Sequence, residues 1–182
     1  RKIIIERLLN MIVLASDHAG FPLKEEIKVF LDGKGVEYID CGTDSTASVD
    51  YAKFAQVACL KVTGGEADKA ILCCGTGIGI SIAANKVPGV RCALCSEPYS
   101  ARMTREHNNA NVLAMGGGLI GTNMAFQIVD AFLNTEFSVE EKKTIGMKVN
   151  EFKVLVEEEV QKRLTEIKEE EVNKKLQSEE ID

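Results

Sequence analysis

Residues 74–79, Cys74-Gly75-Thr76-Gly77-Ile78-Gly79, are the densest chemical signal in the chain. Three glycines at alternate positions let a backbone turn sharply and bare its N–H groups. A helix starting there adds its positive end, and together these make an anion pocket. Cys74 ends the preceding apolar run, so its thiol sits at that pocket and is favoured as the thiolate, a base or nucleophile. Thr76 offers a hydroxyl to a bound oxyanion. No Lys-Ser/Thr follows, so this is not a Walker loop. The third glycine comes one residue too early for the G-x-G-x-x-G of dinucleotide sites.

The chain's 2 histidines lie in two other clusters. Ser16-Asp17-His18-Ala19-Gly20 follows the first apolar run, and Arg105-Glu106-His107-Asn108-Asn109-Ala110-Asn111 precedes the last. A thiolate, an imidazole and a row of amides suit one reaction. A base removes a proton next to a carbonyl, the amides hold the enediolate, and the base returns the proton to the neighbouring carbon. That is aldose–ketose isomerisation, and it needs no metal and no cofactor. Two histidines are too few for the Asp/Glu/His cluster of a metal-dependent isomerase. Acyl transfer would also use Cys and His, but no residue is placed to orient the imidazole.

Alternating elements must position these clusters. Residues 11–15 read as a strand buried on both faces. Residues 21–34 have helical spacing, with Leu23, Ile27, Phe30 and Leu31 inward and Lys24, Glu25 and Lys28 outward, and Gly35 stops the helix. Strands follow at 36–40, 69–74, 90–94 and 112–115. Helices are expected at 49–63 (Phe54, Val57, Ala58 and Val62 inward), 78–86, 96–106 and 121–133. Repeated right-handed βαβ units predict an α/β fold, a five-stranded parallel sheet with helices on both faces. The expected order is the flavodoxin-type 2-1-3-4-5. Strands one and three then flank the switch point, so the His18 and Cys74 loops face one crevice at the carboxyl ends. Cys73 points to the other side of its strand and is inert core. The His107 turn falls at the amino ends, so it reaches such a site only from another chain. A dimer with shared sites is the expectation.

The chain has 182 residues, 45% of them hydrophobic, which suits a globular domain. No apolar run approaches the ~20 residues that span a bilayer. Of the net charge of −6, most lies in residues 151–182, with 11 acids against 6 bases; residues 1–150 hold 17 against 16. With no basic stripe and no Trp, a nucleic-acid partner is excluded in favour of a small molecule. Residues 1–10 carry charges within their apolar stretch and no small-residue cleavage site, unlike a secretory signal. Cys92 and Cys95 form a C-x-x-C without a second pair at zinc spacing. The six cysteines therefore read as reduced thiols in a cytoplasm. From residue 138 the pattern changes to Glu and Lys with Phe152, Val156, Val160, Leu164 and Ile167 three or four apart. This predicts one long amphipathic helix, or two, packed on its own domain or a sister subunit. The chain thus divides into an extension at 1–10, an α/β domain at 11–137 and a helical extension at 138–182.

Taken together, several motifs carry a specific resemblance. They are Ser16-Asp17-His18-Ala19-Gly20, Asp50-Tyr51, residues 74–86 from Cys74-Gly75-Thr76-Gly77 onward, Cys95-Ser96-Glu97-Pro98-Tyr99-Ser100-Ala101, and His107-Asn108 with Asn111-Val112-Leu113-Ala114. Over roughly residues 11–133 the chain resembles ribose-5-phosphate isomerase B and the galactose-6-phosphate isomerase subunits. The resemblance implies a cofactor-free sugar-phosphate isomerase of carbohydrate metabolism, built as a homodimer or dimer of dimers. Cys74 would be the proton-shuttling base, aided by Thr76, and His107 would open the furanose ring. Asp17, His18, Tyr51 and Asn108 would bind substrate, and Gly75, Gly77, Ile78 and Gly79 would form the anion hole. Ribose-type members also carry phosphate-holding arginines. Here those positions fall in Gly116-Gly117-Gly118 and near Glu141 and Ile145, where Lys142 and Lys143 are the nearby cations. Other readings stay open: an isomerase of a hexose 6-phosphate or an unphosphorylated sugar, a non-catalytic sugar-binding or assembly subunit, and a nucleotide-binding module.

Overall fold

The computed structural model describes residues 11–138, Glu140 and 160–165. The chain divides into two compact units, Arg1–Phe137 and Ser138–Asp182. In the first, five strands alternate with five helices: β1 (Ile12–Ser16), α1 (Phe21–Lys34), β2 (Tyr38–Asp40), α2 (Tyr51–Thr63), β3 (Lys69–Cys74), α3 (Ile78–Ala84), β4 (Cys92–Leu94), α4 (Pro98–Glu106), β5 (Val112–Gly116) and α5 (Thr122–Asn134). All pairings are parallel, and the order is β2-β1-β3-β5-β4.

That order corrects the expected 2-1-3-4-5 at its far edge. β5 is five residues, VLAMG, all buried, as a central strand covered on both faces must be. β4 is three residues, CAL, only partly covered, which suits an edge. The switch point between β1 and β3 is unaffected.

The sheet pleat sorts side chains into two layers. Ile12, Leu14, Ile71, Cys73, Leu113 and Met115 pack under α1, α4 and α5 with Leu23, Ile27, Leu31, Ala101, Ile128 and Phe132. Val13, Ala15, Leu72, Cys74, Val112 and Ala114 pack under α2 and α3 with Ala55, Ala58, Cys59 and Ile80. Each fully buried Leu or Ile contributes roughly 1.5–3 kcal/mol. The alternation separates neighbouring thiols: Cys73 lies in one layer, and burial pushes its thiol up to about 12.

Two helical faces differ from their periodicity. In α2 the buried residues are Ala55, Ala58 and Cys59, while Val57 is 48% exposed. Small side chains let this helix lie close on the sheet, so the buried stripe runs through the alanines. In α1, Lys24 is inward, only 2% exposed. Its ammonium pairs with Asp40 at the end of β2 and with Glu25 at 2.7 Å. Burial pushes the Asp40 carboxyl up, but hydrogen bonds from Lys24, the Gly42 amide and Lys28 outweigh it and hold the group below its usual range. This buried pair ties α1 to the carboxyl end of β2.

In the second unit, residues 160–165 are helical, and Val160 and Leu164 of the expected apolar stripe are exposed. Phe152, Val156, Ile167 and residues 1–10 lie outside the described residues. Among the described residues, no helix is long and apolar enough to cross a membrane, and no group of three or more His, Cys, Asp or Glu is placed to hold a metal ion.

Candidate active site

The carboxyl ends of β1, β3 and β5 meet at one point. β3 ends at Cys74, whose side chain is 4% exposed. Its Sγ accepts the Gly77 N–H at 3.1 Å, so the sulfur lies inside the turn made by residues 74–77. Gly77 has φ of +78° and opens α3. A Cβ there would fall 2.5 Å from Leu94 and 2.8 Å from the Met115 carbonyl carbon, so only glycine fits in both conformation and space. Thr76 is exposed, and its Oγ1 accepts the Ile78 N–H at 3.3 Å, leaving its own proton to donate. Ile78 is 52% exposed at the rim.

The end of β5 braces this turn through main chain alone. Gly117 N–H donates to the Cys74 carbonyl at 2.7 Å, and Gly118 N–H to the Gly75 carbonyl at 2.9 Å. Because β5 neighbours β3, the run Gly116-Gly117-Gly118 is part of the site wall. The glycine run is visible in the sequence, but its use depends on the strand order.

The β1 loop joins from the other side. Asp17 N–H donates to the Cys73 carbonyl at 3.2 Å. Asp17 is 5% exposed, and its Oδ1 accepts the Gly20 N–H at 2.8 Å, so one carboxylate oxygen holds the turn into α1. A Cβ on Gly20 would lie 2.3 Å from the Cys73 carbonyl, so the helix start seats directly on β3. His18 Nδ1 accepts the Val49 N–H at 3.1 Å. An acceptor Nδ1 places a ring hydrogen on Nε2, which can donate. Nothing in local sequence marks Val49 for this; the bond is a meeting of two loops.

Tyr51 starts α2, which Asp50 caps by accepting the Ala52 N–H at 2.9 Å. The phenol stands over Gly79: a Cβ there would meet Tyr51 Cζ at 2.7 Å. The structure therefore gathers Asp17, His18, Tyr51, Cys74, Gly75, Thr76, Gly77, Ile78 and Gly79 at one end of the sheet.

His107 and Asn108 are not there. His107 caps the C-terminus of α4, which runs back to the amino ends, and both residues are exposed. The five residues of β5 separate that turn from the Cys74 end, a length of roughly 16 Å at ~3.3 Å per residue. A cavity of about 360 Å³ beside Ile12, Val36 and Leu133 also opens at the amino ends and touches none of the gathered residues.

The charge around the mouth is distinctive. Among the described residues, the loops at 17–20, 41–50, 75–77, 95–97 and 117–121 contain no Lys or Arg. They carry Asp17, Asp44, Asp50 and Glu97, of which Asp50 and Glu97 are engaged as helix caps. The cation that these loops do meet, Lys24 against Gly42, comes from α1 and is paired with Asp40.

Known proteins are similar to this chain in sequence and fold. The family model described as ribose/galactose isomerase matches residues 12–149. A shorter match, residues 135–176, is to the N-terminal domain of class II aminoacyl tRNA synthetases. Ribose-5-phosphate isomerase B of Escherichia coli (strain K12) is 50% identical over 129 residues, 71% of this chain and 87% of that one. The 4-deoxy-4-sulfo-D-erythrose isomerase of Clostridium sp. (strain MSTE9) is 43% identical, over 70% of this chain and 80% of its own. The solved structure of Clostridium thermocellum ribose-5-phosphate isomerase B superposes with a TM-score of 0.72 at 47% identity, covering 80% of this chain and 99% of that one.

Proposed function

Because the chain belongs to the ribose/galactose isomerase family, and so is an aldose–ketose isomerase acting on sugar phosphates, we propose that it interconverts ribose 5-phosphate and ribulose 5-phosphate through a cis-enediolate with Cys74 as base. The observation that carries this reading is the Cys74 sulfur held within the turn of residues 74–77 by the Gly77 amide. The thiolate takes the proton from C2 of the open-chain aldose. The electron pair moves into the C1–C2 bond, and charge builds on O1. Amides of Gly75 and Gly79, with the Thr76 hydroxyl, hold that charge, and those of Gly77 and Ile78 join as they turn from Cys74 Sγ and Thr76 Oγ1 to the substrate oxygen. The O2 proton passes to O1, and the thiol returns its proton to C1, leaving the ketose carbonyl at C2. Each bond broken is matched by one formed, and no oxidant is consumed. Asp17, His18 and Tyr51 orient the sugar hydroxyls.

Ring opening needs a second acid–base group, and His107 of a second copy supplies it, with Asn108 beside it. The support is topological: one chain carries the two halves at opposite ends of its sheet. Exposed apolar residues beside the turn, Ile78, Ile82 and Leu94, suit a homodimer seated over the site. The isomerase unit spans 11–137, with 138–182 as an appended segment. Six free cysteines fit a reducing, cytoplasmic compartment.

One observation favours a second substrate reading. The loops at the carboxyl ends of the strands carry no Lys or Arg among the described residues, which suits a hexose 6-phosphate or an unphosphorylated sugar held otherwise than by arginine forks. A turnover screen decides. Ribose 5-phosphate, hexose 6-phosphates and the free sugars are assayed with the whole chain in D2O, following deuterium at the carbon next to the carbonyl. Ribose 5-phosphate is expected to show the highest kcat/KM. Preference for a free or six-carbon sugar would transfer the reading to that substrate. Saturable binding without exchange would identify a non-catalytic subunit, and stabilisation by nucleotide alone a nucleotide module.

A further inference from the structure

We infer that Arg105 is a positioning residue for His107 and Asn108, which rests on the reading of His107 as the ring-opening group. Arg105 lies in the last turn of α4 and is 6% exposed. Two residues along a helix is about 200° of rotation, so an inward Arg105 turns His107 outward. Its guanidinium grips the returning chain at several points. Nη1 donates to the Ala110 carbonyl and, at 3.2 Å, to Asn109 Oδ1. Nε donates to the Thr135 carbonyl at 3.3 Å, just beyond α5. The guanidinium carbon stands 5.6 Å from the Phe132 ring centroid. The grip closes a tight loop in which Asn109 has φ of +49°, a left-handed conformation rare outside glycine. Asn108 N–H donates to the Thr104 carbonyl at 3.2 Å, and Asn109 N–H to the Arg105 carbonyl at 3.2 Å. His107 and Asn108 are thus the exposed tip of a turn whose inside is filled by one planar, five-donor side chain. A lysine cannot serve three acceptors in that geometry.

The test uses Arg105→Met, which keeps the stem and removes the fork, and Arg105→Lys, which keeps the charge. On ribose 5-phosphate, R105M is expected to lose about 10²-fold in kcat with KM little changed, and R105K to fall between it and the unaltered chain. A four-carbon aldose 4-phosphate cannot close a five-membered ring, so it needs no ring opening. On that substrate both variants are expected to keep their proton-exchange rate within about threefold. The limb of the pH–kcat profile that belongs to the ring-opening step should shift in R105M. Hydrogen exchange at the Asn108 and Asn109 amides should accelerate, while exchange at the Gly117 amide stays unchanged. The inference is overturned if cyclic and acyclic substrates slow equally, if neither slows, or if those two amides keep their protection. Should the unaltered chain turn over no sugar phosphate, the reading of the site fails, and amide exchange alone decides the role of Arg105.

Discussion

The turn at residues 74–77 and the turn at residues 107–111 differ in what braces them from outside. The first is held by main chain: Gly117 and Gly118 amides on the Cys74 and Gly75 carbonyls, and Gly77 on the sulfur. The second has main-chain bonds from the Asn108, Asn109 and Ala110 amides back into the helix, and adds side chains to them: Arg105 on Ala110, Asn109 and Thr135, Arg91 Nε on the Asn109 carbonyl at 2.7 Å, and Asn111 Oδ1 accepting the Arg91 amide at 2.8 Å. Donors that must meet a developing charge are best fixed by backbone, which has few ways to move. The proposed ring-opening group stands at the tip of a helix, where side chains add to the main-chain bonds. At Gly77 the first turn has no room for an added carbon, whereas Gly75 would meet only Ala19 Cβ at 3.5 Å.

The largest expected effect removes the chemistry from the first turn and leaves its frame. Cys74→Ala should lower turnover by about 10³-fold, within the usual range for a general base, while the thermal midpoint moves little. Persistent deuterium exchange at C2 would show that another group is the base. Next comes the frame itself. Gly77→Ala forces a Cβ into contact with Leu94 and Met115 at positive φ, and is expected to cost about 3 kcal/mol in urea unfolding. Gly118→Ala meets only the Gly75 carbonyl oxygen, at 3.1 Å, and should cost under about 1 kcal/mol. Equal costs for the two would break the contrast.

A third test asks how far side-chain grips matter at the carboxyl end. Asp40→Asn leaves Lys24 buried with Glu25 alone, and should cost about 2 kcal/mol at neutral pH, since Asp40 is itself partly exposed. The folded-state carboxyl titrates below its ordinary 3.8. Its contribution is therefore complete above that value and is lost as pH falls through the lower folded value. Urea midpoints at pH 7 and pH 3 should show the gap between parent and D40N narrowing in acid. The smallest effect belongs to the second turn. Asn109→Gly relieves the left-handed backbone but forfeits the Arg105 contact, so opposing terms should leave stability within about 1 kcal/mol.

Much of this arrangement is legible before any coordinates. The helix at 21–34 and the third strand are readable to the residue, because helical spacing ended by Gly35 and an unbroken apolar run mark them. The opposite facing of Cys73 and Cys74 follows from the period of two. The remote place of His107 follows from counting parallel strands. The exchange of β4 and β5 was not legible from element order, since lateral neighbours are chosen by which strand can be buried on both faces. In the sequence the two apolar runs, residues 92–95 and 112–115, are equally long, so no local signal marked which strand is central. Val57 misleads because α2 approaches on its alanines. Lys24 misleads because its partner, Asp40, is sixteen positions away. Arg105 and the Val49 amide are tertiary contacts, for which a single sequence holds no local mark.

The central place of β5 also orders events as the chain leaves the ribosome. When residue 94 has emerged, the segment of β4 still lacks the one strand it pairs with, and one side of β3 is bare. The sheet becomes whole only when residues 112–116 slide between them. A nascent chain stalled short of that point would present a raw apolar strand edge, a natural grip for a chaperone and a hazard without one.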